Sequence, residues 1–215
     1  MQAARSGDAA MTQETEQEAF WRGAFGDAYV ERSSGPALDA SRLSLWSAIL
    51  RRTRGVGSVI ELGCNLGLNL RALRRLLPEA RLGGVEINAK AAAEVRAWGE
   101  AEVIEGSLLE RGFDEPADLA FTSGVLIHIA PERLAEAYAA LMRQSRRYVL
   151  VAEYYNPSPV EISYRGHAER LYKRDFAGEL MDAYPALSLV DYGFVWRRDP
   201  VFAGDDVTWF LMEKR

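Results

Sequence analysis

From Ser58 onward the chain alternates between two kinds of hydrophobic pattern, and this constrains the fold more than any other feature. Short β-rich runs cover Ser58 to Leu62, Arg81 to Glu86, Glu102 to Glu105, Asp118 to Thr122 and Arg147 to Glu153. Stretches with helical spacing separate them at Leu68 to Leu77, Ala89 to Trp98 and Pro131 to Ser145. Pro78 and Gly99 end the first two helices, and Pro131 stands at the favoured first turn of the third. Strands alternating with helices predict an α/β fold with a parallel, doubly wound sheet and right-handed crossovers.

The flanks of this unit are different. Glu14 to Arg32 carries Phe20, Trp21, Phe25 and Tyr29 at near-helical spacing, broken near Gly23 and Gly26. Ser33-Ser34-Gly35-Pro36 reads as a turn, and Leu38 to Arg54 as an amphipathic helix with Leu43, Leu45, Trp46, Ile49 and Leu50 inward. After Glu153 comes a loop over 154–167, then a helix from Tyr172 to Tyr184. Leu187 to Trp196 and Val207 to Glu213 follow with no helix between them and predict a hairpin. At 215 residues one domain is the default. We read residues 1–12 as a frayed tail, 13–54 as a helical cap, and 55–215 as the ligand-binding unit.

Composition narrows the partners. A net charge of −5 with a pI near 5.3 argues against broad binding to nucleic acid or an anionic membrane. No apolar run approaches the ~18 residues of a membrane span. The segment MQAARSGDAA lacks the apolar core of a signal peptide. One cysteine cannot make an internal disulfide, which points to a reducing, cytoplasmic setting. Two histidines far apart in sequence give no metal-ligand spacing, so no metal is expected. Monomer and homodimer both stay open.

The chemistry concentrates in Glu61-Leu62-Gly63-Cys64-Asn65-Leu66-Gly67, where a strand turns into a helix. Glycines there allow a sharp turn and close approach of a ligand, and an open α/β sheet binds its ligand at the carboxyl ends of its strands. Glu86 ends the next strand, where an acid hydrogen-bonds ribose hydroxyls. The third glycine of a dinucleotide site is missing, since Leu70 stands there. An acid ahead of the loop also suits a methionyl ammonium better than a pyrophosphate. Cys64 reads first as a small filler of the loop. His128, in Leu126-Ile127-His128-Ile129, reads equally as a core histidine or as a group at the site.

Val59 to Gly67, Glu86, Gly106-Ser107 and Asp118 to Pro131 resemble the class I S-adenosylmethionine (SAM)-dependent methyltransferases. Three further segments, Glu16 to Arg32, Glu153 to His167 and Leu171 to Leu180, resemble the methylases associated with pseudaminic acid biosynthesis. The resemblance implies a Rossmann-like, seven-stranded, mostly parallel sheet with an antiparallel last strand and an N-terminal helical lid. It implies SAM as cofactor, with Glu61, Gly63, Cys64, Asn65 and Gly67 at the methionyl part. Glu86 and Ile87 would take the ribose, and Gly106, Ser107 and Leu108 the adenine. Thr122 and Gly124 would lie near the methyl group, with Trp21, Tyr29 and Arg32 reaching the cofactor from the lid. Many members carry Asp where this chain has Ser107, so their carboxylate contact to the adenine amine is lacking at that position.

The segment from Glu153 to His167 is dense in hydroxyl, amide, guanidinium and imidazole groups and is fixed by two prolines. It predicts a pocket for a small polar or acidic acceptor, such as a nonulosonic-acid-type sugar or a biosynthetic intermediate. Glu153, Tyr154, Tyr164, Arg165 and Tyr172 are its candidate binding residues, and His128, Tyr155, Asn156 and His167 its candidate catalytic ones. Methyl transfer is the leading reading. A SAM enzyme that uses the aminocarboxypropyl arm, cyclising it to azetidine-2-carboxylate and releasing methylthioadenosine, is the alternative. A non-catalytic SAM-binding module is a third.

Overall fold

The computed structural model describes residues 14–30, 36–164 and 167–215; at 36–39, 163–164 and 167–170 it describes the backbone alone. The expected tail, Arg32, the Ser33–Gly35 part of the turn and Arg165 lie outside the described residues.

Five strands follow the predicted alternation: β1 (Ser58–Leu62), β2 (Arg81–Glu86), β3 (Glu102–Glu105), β4 (Ala117–Ser123) and β5 (Ser145–Glu153). A hairpin of β6 (Val160–Tyr164) and β7 (His167–Lys173) comes next, then β8 (Leu187–Val195) and β9 (Val207–Lys214). Seven strands form one sheet in the order β3-β2-β1-β4-β5-β9-β8. Strands β1 to β5 are parallel, while β9 runs antiparallel to both β5 and β8. Strand order therefore reverses between β1 and β4, and a crevice opens at their carboxyl ends where successive crossovers leave in opposite directions.

The helices are α1 (Glu16–Arg22), α2 (Ala24–Val30), α3 (Pro36–Leu50), α4 (Leu68–Leu76), α5 (Ala89–Trp98), α6 (Leu134–Gln144) and α7 (Phe176–Ala183). Alternate strand residues supply the two faces of the sheet, as a period of two requires. Val59, Leu82, Leu119, Phe121 and Leu150 pack with Trp46 and Ile49 of α3, Leu70 and Leu73 of α4 and Val95 of α5. Ile60, Leu62, Val85, Ala120, Val149 and Val151 pack with Leu141 of α6 and Phe176 and Leu180 of α7. Among the described residues no helix is long and apolar enough to cross a membrane.

Three local expectations change. The loop over 154–167 contains the first strand of a two-stranded antiparallel hairpin, because Val160-Glu161-Ile162 alternates in the strand period beyond the two prolines. Tyr172 and Lys173 belong to its second strand, so the following helix starts only at Phe176, where the Asp175 side chain caps the Gly178 amide. The expected helix from Pro131 opens with one tight 3₁₀ turn over Pro131–Arg133 before α6. At the N-terminus the chain breaks at Gly23, which is extended at φ −91°, ψ −157° and divides α1 from α2.

Candidate active site

An elongated cavity of about 990 Å³, its open mouth included, follows the carboxyl ends of β1 to β4. The core supplies Gly63 and Asn65 after β1, Glu86, Ile87 and Asn88 at the end of β2, and Gly106, Ser107 and Leu108 after β3. Ser123 ends β4, and Gly124, Val125 and His128 follow it. Helices α1 and α2 cover it with Glu18, Trp21, Gly26 and Tyr29.

The turn after β1 shows why a loop without a middle glycine still works. Asn65 takes a left-handed conformation at φ +46°, which asparagine tolerates better than most residues. Its amide donates to Glu86 Oε2 at 2.6 Å, while the Asn88 amide donates to Oε1 at 2.8 Å. These bonds orient the carboxylate on the cavity wall. Burial still pushes its pKa up, with the amides opposing. At Gly63 the space is closed by protein as well as by backbone geometry. Its φ is +80°, and an added Cβ would sit 2.6 Å from a methyl of Val125.

Glu61, Cys64, Gly67 and Thr122, expected at the cofactor, do not face the cavity. Glu61 points toward α3 and α4, where Oε1 accepts from Asn69 Nδ2 at 2.7 Å and Oε2 has no hydrogen-bond partner among the described residues. Burial raises its pKa to about 8 against Asn69 and the charge of Arg42. Cys64 is buried against Gly84 of β2, filling the place of a β2 side chain, and burial lifts its thiol pKa well above normal. Gly67 takes the left-handed position that starts α4. Thr122 is wholly enclosed within the sheet.

The expected acceptor segment departs furthest from expectation. Glu153 is enclosed and accepts from the amides of Val125 and Leu126 at 3.1 Å each, and of Ile127 at 3.4 Å. It therefore anchors the turn that carries His128. Burial raises its pKa to about 7, opposed by those amides. Tyr154 packs beside the core with Lys173 Nζ 5.2 Å from its ring centre. Tyr155 is exposed, bridges to Arg174 and lies 6.0 Å from the Phe210 ring. The Asn156 amide donates to Arg174 O, and its side chain donates to Ser158 O. Tyr172 pairs with Glu161 inside the hairpin. Chain-to-chain bonding thus holds this segment along the hairpin, off the cavity wall. The side chains of Tyr164 and His167 lie outside the described residues. The hairpin's β7 packs on the turn that bears His128, with Leu171 against Leu126 and Ile127 in one core.

The lid is fixed at three points. The Trp21 ring sits 4.6 Å from the His128 ring. Asn88 Nδ2 donates to Asp27 Oδ1 at 2.9 Å and to Trp21 O at 3.3 Å. Ser107 donates to Glu18, whose pKa burial would raise but which the bonds from Ser107 and Thr15 hold below its ordinary value. The aromatic stripe divides: Trp21 and Tyr29 face the cavity, while Phe20 and Phe25 stack on each other at 4.1 Å. Arg22 points outward to Glu14.

Glu18, Asn88 and Arg133, which also lines the cavity, were not legible as site residues. Thr15-x-x-Glu18 has the spacing of a capping box, and Asn88 stands where a helix cap belongs. Those signals announce helix starts. That two of these helix starts meet around one cavity depends on tertiary packing.

No family model matches the chain, and no curated protein does. Its fold does match solved structures. Magnesium protoporphyrin IX methyltransferase from Synechocystis PCC 6803 with bound SAM gives a TM-score of 0.68 at 12% identity, covering 95% of this chain and 100% of that one. Burkholderia thailandensis 1,6-didemethyltoxoflavin-N1-methyltransferase, bound to 1,6-didemethyltoxoflavin and S-adenosylhomocysteine, gives 0.69 at 19% identity, covering 97% and 93%. A glycopeptide N-methyltransferase complexed with S-adenosylhomocysteine gives 0.63 at 11%, covering 90% and 99%. At these identities the likeness is one of architecture: the chain has the fold of the class I SAM-dependent methyltransferases.

Proposed function

We propose that this chain is a SAM-dependent methyltransferase acting on a small polar or acidic metabolite of nonulosonic-acid type or a related biosynthetic intermediate, as a monomer or homodimer in the cytoplasm. The observation that carries the first part is the single covered cavity joining the Gly63–Asn65 turn, the Glu86 carboxylate, the Gly106–Leu108 segment and His128. The residues present suit SAM. Gly63 and Asn65 would receive the methionyl part and Glu86 the ribose hydroxyls, leaving Gly106 to Leu108 for the base. The Glu86 carboxylate, oriented on the cavity wall by the Asn65 and Asn88 amides, keeps lone pairs for hydroxyl donors. When bound, SAM supplies a methyl group already activated by a sulfonium.

The protein's tasks are then alignment, exclusion of water and removal of a proton from the acceptor. His128 lines the cavity beside the β4 end and is the residue placed to take that proton. Glu153 holds its turn in register through three backbone amides. Trp21 and Tyr29 line the cavity from the lid and bring aromatic rings to it, and a ring face set against a sulfonium would add an attraction of ~0.5–2 kcal/mol. Arg133 brings a guanidinium to the same wall, in keeping with an acidic acceptor, its charge shared with Glu136 and Glu18. The likeness of three segments to pseudaminic-acid-associated methylases supports the acceptor class.

The test is product identity. The protein is incubated with SAM, with and without a nonulosonic acid, and the nucleoside released is identified. S-adenosylhomocysteine formed only with the acceptor supports the reading. Methylthioadenosine from SAM alone replaces methyl transfer with chemistry of the aminocarboxypropyl arm. SAM binding without either product leaves a binding module.

A further inference from the structure

We propose that Glu18, carried by the lid, recognises the 6-amino edge of the adenine and makes the site selective for adenine nucleosides. This inference rests on the reading of the cavity as a SAM site. The order of strands fixes where a base must lie. Strands β1, β2 and β3 are successive neighbours, so the cavity passes from Gly63 over Glu86 to Ser107 in one direction. A nucleoside whose ribose sits on Glu86 and whose sulfonium end lies toward β1 can extend its base only toward β3.

The β3 end brings no carboxylate of its own to the cavity wall. The Ser107 hydroxyl accepts from the Leu109 amide at 3.2 Å and interacts with Glu18, helping to hold that carboxylate ionised, and is itself a neutral group. The charged acceptor on that wall is Glu18. Its carboxylate is buried on the cavity wall, and the Thr15 amide and hydroxyl donate to its Oε2 at 2.8 and 2.9 Å. A carboxylate has about four acceptor sites. Thr15 and Ser107 fill three, and one remains for a ligand N–H. An ionised carboxylate accepts from an exocyclic amine and repels a carbonyl oxygen in the same place, so hypoxanthine should be rejected where adenine is held. The lid residue thereby supplies a charged acceptor, which the serine on the core is not.

The experiment compares S-adenosylhomocysteine with S-inosylhomocysteine by calorimetry on the wild-type chain and on Glu18→Gln, with melting curves for both proteins. Wild type should prefer the adenosine ligand by about 10- to 100-fold, the scale of a hydrogen bond to a charged group. In Glu18→Gln the adenosine ligand should weaken about tenfold or more. The inosine ligand should hold or tighten there, because an amide can donate to its carbonyl. A merely structural role for Glu18 loosens both ligands in proportion; that result overturns the proposal and leaves the SAM site standing. If the wild-type chain binds neither ligand, the SAM reading fails and this inference falls with it.

Discussion

Replacing Gly26 by alanine separates local helix preference from the geometry of the lid. Gly26 lies within α2, and by intrinsic propensity alone Gly→Ala in a helix interior is worth about 1 kcal/mol of stabilisation. The structure predicts the reverse for the lid. A Cβ at position 26 would stand 1.9 Å from the Trp21 carbonyl oxygen and 2.8 Å from Asn88 Nδ2. Neither neighbour can yield cheaply. The first is α1 backbone, and Asn88 is held by its own cap bond to the Ala91 amide at 3.0 Å. The lid must therefore lift, losing two hydrogen bonds from Asn88 at about 0.5–1.5 kcal/mol each and the Trp21–His128 ring contact at a similar value. Less the helix gain, docking weakens by about 1–3 kcal/mol, or about 5- to 150-fold in the affinity of a ligand that needs the closed lid. The main melting transition should move little, since neither core cluster includes a residue of α1 or α2. Calorimetric titration with S-adenosylhomocysteine, read beside a thermal melt, checks this. Unchanged affinity, or affinity lost in step with a collapsed melt, would refute the reasoning.

Other expectations follow from the same geometry. Gly63→Ala should abolish binding and lower the melting temperature, and adding Val125→Ala should recover part of the stability but not all, because φ remains at +80°; full recovery would show that sterics alone matter there. Glu61 and Glu153 have folded-state pKa values of about 8 and about 7 against 4.5. The folded state therefore holds more protons than the unfolded one, and stability should be greatest below about pH 4.5 for these groups and be lost as pH rises through 7 and 8. Glu61→Gln should flatten the upper part of that slope in melts across pH 5–9, and an unchanged slope would remove Glu61 as its source. His128→Gln should lower kcat by about 10²–10⁴ while cofactor affinity stays within a few-fold, if it takes the acceptor's proton; a loss confined to KM would make it a wall residue only.

The fold class followed from periodicity in the sequence, and so did the position of the crevice. Runs such as Ser58-Val59-Ile60-Glu61-Leu62 and the helix stops at Pro78 and Gly99 are local signals, readable without knowledge of neighbours. The turn Gly63 to Gly67 and the acid at Glu86 were legible for the same reason, because a sharp turn after a strand needs particular residues wherever it occurs. By contrast, Glu61 and Cys64 belong to the glycine motif, yet only the sheet's alternation decides which face their side chains take. That alternation sends Glu61 toward Asn69 and sets Cys64 beneath Gly84.

The polar segment after β5 shows the limit most clearly. Composition made Glu153, Tyr155 and Asn156 look like an acceptor pocket, because polar groups near a site and polar groups that satisfy backbone have the same composition. Tertiary structure assigned Glu153 to the amides of Val125, Leu126 and Ile127, and the neighbouring chain to Arg174. It also joined Glu18 to Ser107 across 89 positions of sequence and Asn88 to Asp27 across 61. The sequence by itself determined the alternating strands β1 to β5 and the edge of the sheet at which the crevice opens, since those depend on local pattern and strand direction. Which carboxylates face the cavity was decided by the tertiary structure, through the sheet's alternation at Glu61 and the packing of α1 and α2 at Glu18, because long-range contact determines whether a buried charge meets the cavity or a backbone amide.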